Sequence, residues 1–276
     1  MAVAQQLINH HPVVSREEWL KARKAHLTRE KAFTRERDAL SAARRELPWI
    51  KLDKNYVFDG PRGKVKFADL FEGRSQLLVY HFMFDPEWTQ GCKSCSLIAD
   101  HYNPSIIHLH HRDVTMVTVS RAPIEKIQAF RERMGWTFPW VSSFHNDFNR
   151  DFNVSFTEQE LASGDTIYNY TAKPYPISEL PGMSAFIKDP DGTIFHTYST
   201  YARGLDMFLG VYHLLDIAPK GRDEADNKGM SWVRHHDRYN DADFLDPWVE
   251  HAQRKASQSC NCGCDESTKP AKLRTV

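Results

Sequence analysis

An α/β chain, a mixed β-sheet with helices on both faces, is what this sequence predicts, and three observations predict it. Two β-prone apolar runs, Gln76–Phe84 and Val114–Val119, are separated by a stretch that can be helical. Near-continuous apolar runs of this length suit strands covered on both faces. A later pair, Ser184–Lys188 and Thr193–Tyr198, flanks Asp189-Pro190-Asp191-Gly192 and reads as an antiparallel hairpin. Between the first run and its helix stands Gly91-Cys92-Lys93-Ser94-Cys95, a C-x-x-C at a strand-to-helix junction. A strand–helix–strand crossover followed by a hairpin gives a mixed sheet.

The elements follow in order. Ser15-Arg16-Glu17-Glu18 has the form of a capping box. From there to Arg45 the chain is dense in Lys, Arg and Glu, with Trp19, Leu20, Leu27, Phe33 and Leu40 as sparse anchors, so one long helix or two consecutive ones are expected. Pro48 ends that region. Tyr56–Phe58 and Val65–Phe67 around Gly60-Pro61-Arg62-Gly63 read as a hairpin. After the buried strand at 76–84, Ser96–Tyr102 is helical, Pro104 interrupts, and Ser105–His111 continues. A strand at Val114–Val119 precedes a helix that starts at Ala122-Pro123 and runs to Arg133. Trp140–Ser142 is a short strand. Residues 145–182, rich in Asn, Asp, Ser, Thr and Pro, read as one extended loop, of the kind that serves as a lid or stays poorly ordered. After the second hairpin a helix is expected over Leu205–Leu215, then partial helix over Trp232–Gln253 and a polar, mobile end. The expected division is a helical extension over 1–50, the α/β domain over 51–222, and a C-terminal helical segment with a Cys-containing flexible tail over 223–276.

Composition narrows the function classes. The 276 residues are 41% hydrophobic and 26% charged, an ordinary globular balance. Thirty-six basic and 36 acidic residues cancel, which removes any bulk electrostatic case for nucleic acid or an anionic membrane. No window approaches a membrane span, and Met1–His10 lacks the basic and apolar regions of a signal peptide. Five cysteines fall in two clusters rather than spreading as a disulfide framework would. The expectation is a cytoplasmic protein whose cysteines act in redox or metal chemistry.

That chemistry centres on Cys92 and Cys95. A thiol at a helix start sits beside unpaired N–H groups and the positive dipole end, which favours thiolate. Cys92 is thus the candidate nucleophile, with Lys93 as an adjacent positive charge, and Cys95, one turn on, closes the disulfide. A bare C-x-x-C is also half a zinc site, so metal binding stays open. Trp88 covers the active face or packs in the core. Arg203 holds an anion or forms a structural ion pair. In the tail, Cys260, Cys262 and Cys264 at i, i+2 and i+4 can clamp a soft metal or shuttle electrons to the pair. No Gly-rich phosphate loop, H-E-x-x-H or G-x-S-x-G occurs.

The element order resembles the thioredoxin fold, in the version with an added N-terminal hairpin shared by peroxiredoxins. More narrowly, Val79–Phe84, Gly91–Ser96, Val119–Pro123, Met134–Ser143 and Phe195–Gly204 are similar to the thioredoxin-like proteins of the domain-of-unknown-function 899 family. The resemblance spans most of residues 15–240. It implies a thioredoxin-like mixed sheet and thiol–disulfide chemistry at Cys92 and Cys95 with no required cofactor. The implied partner is a protein or small-molecule thiol or disulfide; no nucleic acid or membrane partner is expected, and a homo-oligomer is left open. Two departures stand out. Alignment on Phe186–Asp189 puts Met183 where thioredoxins carry a cis-proline, and Pro86…Thr89…Cys92 is one residue short of the peroxiredoxin loop. The resemblance therefore also implies two alternatives: a thiol peroxidase, or copper or zinc held by Cys92, Cys95, His81 and His196, as copper-delivery proteins of this fold pair two cysteines with a distant histidine.

Overall fold

The computed structural model describes residues 11–224 and 229–260, with side chains through Ser257. It divides into two compact units, Met1–Trp49 with Tyr212–Asp223, and Ile50–Val211 with Glu224–Val276.

In the first unit, α1 (Arg16–Arg45) is a single 30-residue helix. Ser15 accepts the Glu18 N–H and Glu18 reaches back to the Ser15 N–H, so the expected capping box forms. Glu17 and Glu18 in the first turn and Arg44 and Arg45 in the last complement the helix dipole. No residue of α1 is buried. The Arg222 guanidinium stacks 4.2 Å from the Tyr212 ring centroid.

The second unit is built on an eight-stranded sheet. Its strands are β1 (Ile50–Lys51), β2 (Val57–Gly60), β3 (Gly63–Lys66), β4 (Gln76–His81), β5 (Val114–Ser120), β6 (Trp140–Ser142), β9 (Gly182–Lys188) and β10 (Ile194–Tyr201). A separate ribbon pairs β7 (Ile167–Tyr168) with β8 (Thr171–Ala172). The sheet order is β1-β10-β9-β4-β5-β6-β2-β3. Strands β4, β5 and β6 run parallel, and β9 runs antiparallel to β4. The central order β10-β9-β4-β5, with the crossover between β4 and β5 and the hairpin β9–β10, is the thioredoxin-like arrangement. The helices of this unit are α2 (Lys93–Tyr102), α3 (Ile106–His110), α4 (Ile124–Arg133), α5 (Phe148–Asp151), α6 (Glu158–Ser163) and α8 (Pro247–Cys260), while α7 (Gly210–Leu215) begins in this unit and passes into the first at Tyr212. No helix among the described residues is long and apolar enough to cross a membrane.

Strand alternation in β4 sends Leu77, Val79 and His81 to one face and Tyr80 to the other. The first face carries a core of Tyr56, Phe58, Phe67, Phe71, Phe148, Phe152 and Phe186. The second face, toward α2 and α4, carries Tyr80, Phe82, Tyr102, Phe130, Trp136, Phe138 and Trp140, in ring pairs whose centroids lie 4.6–6.3 Å apart. Each such pair adds about 0.5–1.5 kcal/mol beyond area burial.

Three expectations are corrected. Residues 145–182 are not one loop: they hold α5, α6, β7 and β8, and bury Phe148, Phe152, Val154, Phe156, Tyr168 and Leu180 in the first core. The helix expected over 205–215 breaks at Leu209, where a 3₁₀ segment (Ala202–Phe208) gives way to α7. Finally, β9 begins at Gly182, so Pro181 precedes the strand, while Met183 lies within β9, paired with Tyr80.

Candidate active site

The chain leaves β4 through Phe82, Met83 and Phe84, which still bond to their neighbours. Phe82 N–H donates to the Val119 carbonyl (3.0 Å), and the Cys92 N–H donates to the Met83 carbonyl (3.0 Å). Residues 85–91 are thus looped out, and Cys92 is returned to the end of the central strand. There it is the N-cap of α2, its Sγ accepting the Cys95 N–H at 3.5 Å. Gly91 is obligatory: a Cβ would stand 2.6 Å from Phe82 and 2.8 Å from Phe130. Its carbonyl is held by His235, whose Nε2 lies 2.8 Å away. Because Arg133 Nη2, a donor only, faces His235 Nδ1 at 2.9 Å, the ring is neutral with its proton on Nε2. Burial pushes that imidazole down to about 4.

Both cysteines are free thiols and both are enclosed, at 2% and 1% exposure. Their acidities diverge. A hydrogen bond from the Cys95 thiol lowers the Cys92 pKa, helped by the Cys95 and Ser94 N–H groups; burial and Asp246 oppose. Burial and the Cys92 sulfur hold the Cys95 thiol well above its ordinary value. The buried Tyr80 hydroxyl, without a well-formed hydrogen bond, lies against the Cys95 sulfur and works in the opposite sense. The pair is therefore asymmetric, one thiolate-prone sulfur at the helix start and one protonated sulfur behind it.

Lys93 does not act as a bare positive charge. Its Nζ is 3.0 Å from Asp246 Oδ1, both side chains nearly buried. That ion pair belongs to a C-terminal strap over the site. Trp248 packs 6.1 Å from Trp88, Glu250 accepts the Thr89 hydroxyl (2.8 Å), and Arg254 donates to the Glu87 carbonyl (3.1 Å). Trp88, 2% exposed, is a core residue as well as a cover for the loop.

The two histidines do not join the cysteines. His81 stacks on Phe148, on the sheet face opposite Tyr80 and α2, and its Nε2 is 2.8 Å from Ser184 Oγ. From there hydrogen bonds run through Ser199 (2.7 Å) to His196 Nε2 (2.7 Å). Among the described residues no group of three His, Cys, Asp or Glu is placed to hold a metal ion. Cys262 and Cys264 lie outside the described residues; Cys260 closes α8, its side chain likewise outside them. Arg203, 83% exposed, pairs with Asp206 at 3.4 Å, so the ion-pair reading holds.

Beside the loop lies a cleft of about 740 Å³ bounded by Asp85–Trp88 on one side and Trp248, His251, Ala252 and Lys255 of α8 on another. Behind its wall Glu179 is fully buried, held by the Ser155 hydroxyl (2.6 Å) and Arg121 Nη1 (3.2 Å). Burial outweighs Arg121 and pushes its pKa up to about 8.

The sequence family described as bacterial protein of unknown function (DUF899) matches residues 8–239. The chain belongs to that family. Among curated proteins, none matches in sequence. Among solved structures the chain is similar to the peroxidoxin BcpB of Mycobacterium tuberculosis, at 13% identity and a TM-score of 0.40, covering 59% of this chain and 94% of that one. It is similar to a peroxiredoxin Q of Xanthomonas campestris at 15% identity and 0.38, covering 56% and 88%. A PrxQ mutant of Xylella fastidiosa stands at 14% and 0.39, covering 60% and 94%.

Sequence reading missed His235, Asp246, Tyr80 and Arg133. Tyr80 lies in the Val79–Phe84 stretch but reads there only as a strand residue, the other three belong to no motif, and His235 is 144 residues from the carbonyl it holds.

Two outcomes are expected. Lys93→Met leaves Asp246 buried without its cation, which costs about 3–5 kcal/mol in urea unfolding; a loss under about 1 kcal/mol would mark an exposed, weak pair. Glu179 takes up a proton on folding, since its folded pKa of about 8 lies above the ordinary 4.5. Its contribution is therefore fully present below about pH 4.5 and is lost as pH rises through about 8. Glu179→Gln should gain on the parent from about pH 5 to about pH 8 and level off above it; parallel stability curves would show that Glu179 does not titrate in this range.

Proposed function

We propose that the protein is a thiol–disulfide oxidoreductase that uses the Cys92–Cys95 pair. The observation that carries this reading is the asymmetry of the pair. Cys92 is the helix-start sulfur favoured as thiolate, and Cys95 is its protonated hydrogen-bond donor. The thiolate is the nucleophile in disulfide exchange, so this order makes Cys92 the attacking group.

The reaction balances in two steps. Cys92 thiolate attacks one sulfur of a substrate disulfide RSSR, forming a Cys92–SR mixed disulfide and expelling RS⁻, which leaves protonated as RSH. Cys95 then attacks the Cys92 sulfur, and its proton passes to the departing RS⁻, which leaves as the second RSH. The protein pair is oxidised to Cys92–Cys95 and the substrate is reduced to two thiols. The reverse sequence oxidises a dithiol. Burial of Cys95 and the Tyr80 hydroxyl beside it suit a resolving thiol that ionises only once the mixed disulfide exists. Because both sulfurs are enclosed, the strap over residues 85–93 has to part for the substrate to reach Cys92.

A peroxidase draws less from the geometry, since the Thr89 hydroxyl of the shortened loop is committed to Glu250. Copper or zinc would have two thiolates at the pair and neither His81 nor His196, both of which belong to the network on the far face.

The test is trapping. Mixed with a thiol–disulfide reporter such as a nitrobenzoate disulfide, Cys95→Ser should accumulate a stoichiometric adduct on Cys92, read by intact mass and peptide mapping. Cys92→Ser should fold normally and form none on the 92–95 peptide at comparable rate. An adduct on Cys95 that forms as fast in the absence of Cys92 would overturn the assignment.

A further inference from the structure

Resting on that function, we infer that the cleft beside Trp88 is the substrate site of the pair, and that its substrate is a small disulfide bearing a carboxylate rather than a protein. Its volume, about 740 Å³, is that of a small-molecule pocket. The enclosed sulfurs, at 2% and 1% exposure, suit a ligand that enters between elements better than a folded partner that docks on an open surface.

The walls explain the selectivity. Phe144 and Trp248 supply aromatic surface over the buried rings of Trp88 and Phe156, and Arg121 and Arg150 supply guanidinium groups. The acids on the same walls are already engaged. Asp85 accepts the Ser178 hydroxyl (2.7 Å) and the Glu87 N–H (2.8 Å), Glu87 faces His251 (3.3 Å) and Lys255 (3.5 Å), and Glu158 faces Lys255 (3.1 Å). The arginines are the opposite case. Arg150 is exposed, with the Glu160 carboxylate in electrostatic reach but no ion pair among the described residues, and Arg121 engages Glu179 through Nη1 alone. A planar fork with free donors is suited to a carboxylate held bidentately.

Position links the cleft to the chemistry. One wall, Asp85–Trp88, runs directly into Thr89–Cys92. The other, α8, follows Asp246, the residue that pins Lys93. Trp88 and Trp248 pack on each other at 6.1 Å, so a ligand that enters the cleft parts the two rings and with them the segments that lead to Cys92 and to Asp246. Exchange then follows the balanced sequence above, RSSR and two protein thiols giving two RSH and the Cys92–Cys95 disulfide.

The experiment uses the full chain and two probes, glutathione disulfide as the acidic disulfide and bis(2-hydroxyethyl) disulfide as the uncharged one. The rate at which each oxidises the reduced pair is followed by tryptophan fluorescence. Arg150→Gln should lower the ratio of the acidic to the uncharged rate constant about tenfold, the worth of one lost charge-assisted contact. Arg112→Gln, an exposed arginine outside the cleft, should leave the ratio as in the parent. Calorimetric binding of glutathione disulfide to the Cys92→Ser, Cys95→Ser double variant, weakened about tenfold by Arg150→Gln, should agree. An unchanged ratio, or no binding that depends on Arg150, overturns the inference. Arg150-dependent binding with no oxidation of the pair by either probe would instead sink the oxidoreductase reading and leave the anion site standing. Arg150 is exposed, so its variant folds even where Arg121→Gln, which strips Glu179 of its cation, does not.

Discussion

One backbone hydrogen bond organises this molecule: the Cys92 N–H on the Met83 carbonyl at the end of the central strand. It closes the 84–91 excursion and fixes the first residue of α2 against β4. The sulfur can then take the N-cap role that a serine or aspartate would fill elsewhere, accepting an N–H of the first turn. The close approach of Gly91 to Phe82 and Phe130 and the hold of His235 on its carbonyl keep that junction in place. That junction is what seats the first thiol of α2 where the dipole and N–H groups favour a thiolate.

The same placement creates a tension between reactivity and access. A thiolate is costly to bury, and here the cost is offset by three donors, the Cys95 thiol and two backbone N–H groups, rather than by a cation. The nearest ammonium, Lys93, is spent on Asp246, whose charge opposes the thiolate. The ion pair therefore serves the strap more than the sulfur. Because breaking a buried pair is expensive while an exposed one is weak, the cover is held at buried points, Asp246 on Lys93 and His235 on Gly91, and lightly fastened at its exposed ones. Such a design opens when a ligand contributes contacts that the closed form lacks.

Much of this was legible in the amino-acid order. The capping box at Ser15 and Glu18, the two apolar runs, the 189–192 turn and the C-x-x-C at a strand-to-helix junction are local signals, and each became the element it announced. Residues 145–182 were misread because their polar composition outweighed the aromatic spacing Phe148, Phe152, Phe156, which was the available sign of a packed segment. The cover of the site was illegible for a different reason. His235 and Asp246 are tied to Gly91 and Lys93 by tertiary contacts across more than a hundred residues, and no periodicity records such a pairing. His81 and His196 looked like candidates for the pair by proximity in topology, yet strand alternation turns both to the opposite face.

The central claim is that Cys92 carries the thiolate and Cys95 withholds its proton. Ultraviolet thiolate absorbance of the reduced protein, titrated against pH, tests it directly. The account predicts one thiolate ionising below the ordinary cysteine value of about 8.5, absent in Cys92→Ser and retained in Cys95→Ser. A low transition that survives Cys92→Ser and disappears in Cys95→Ser would contradict it.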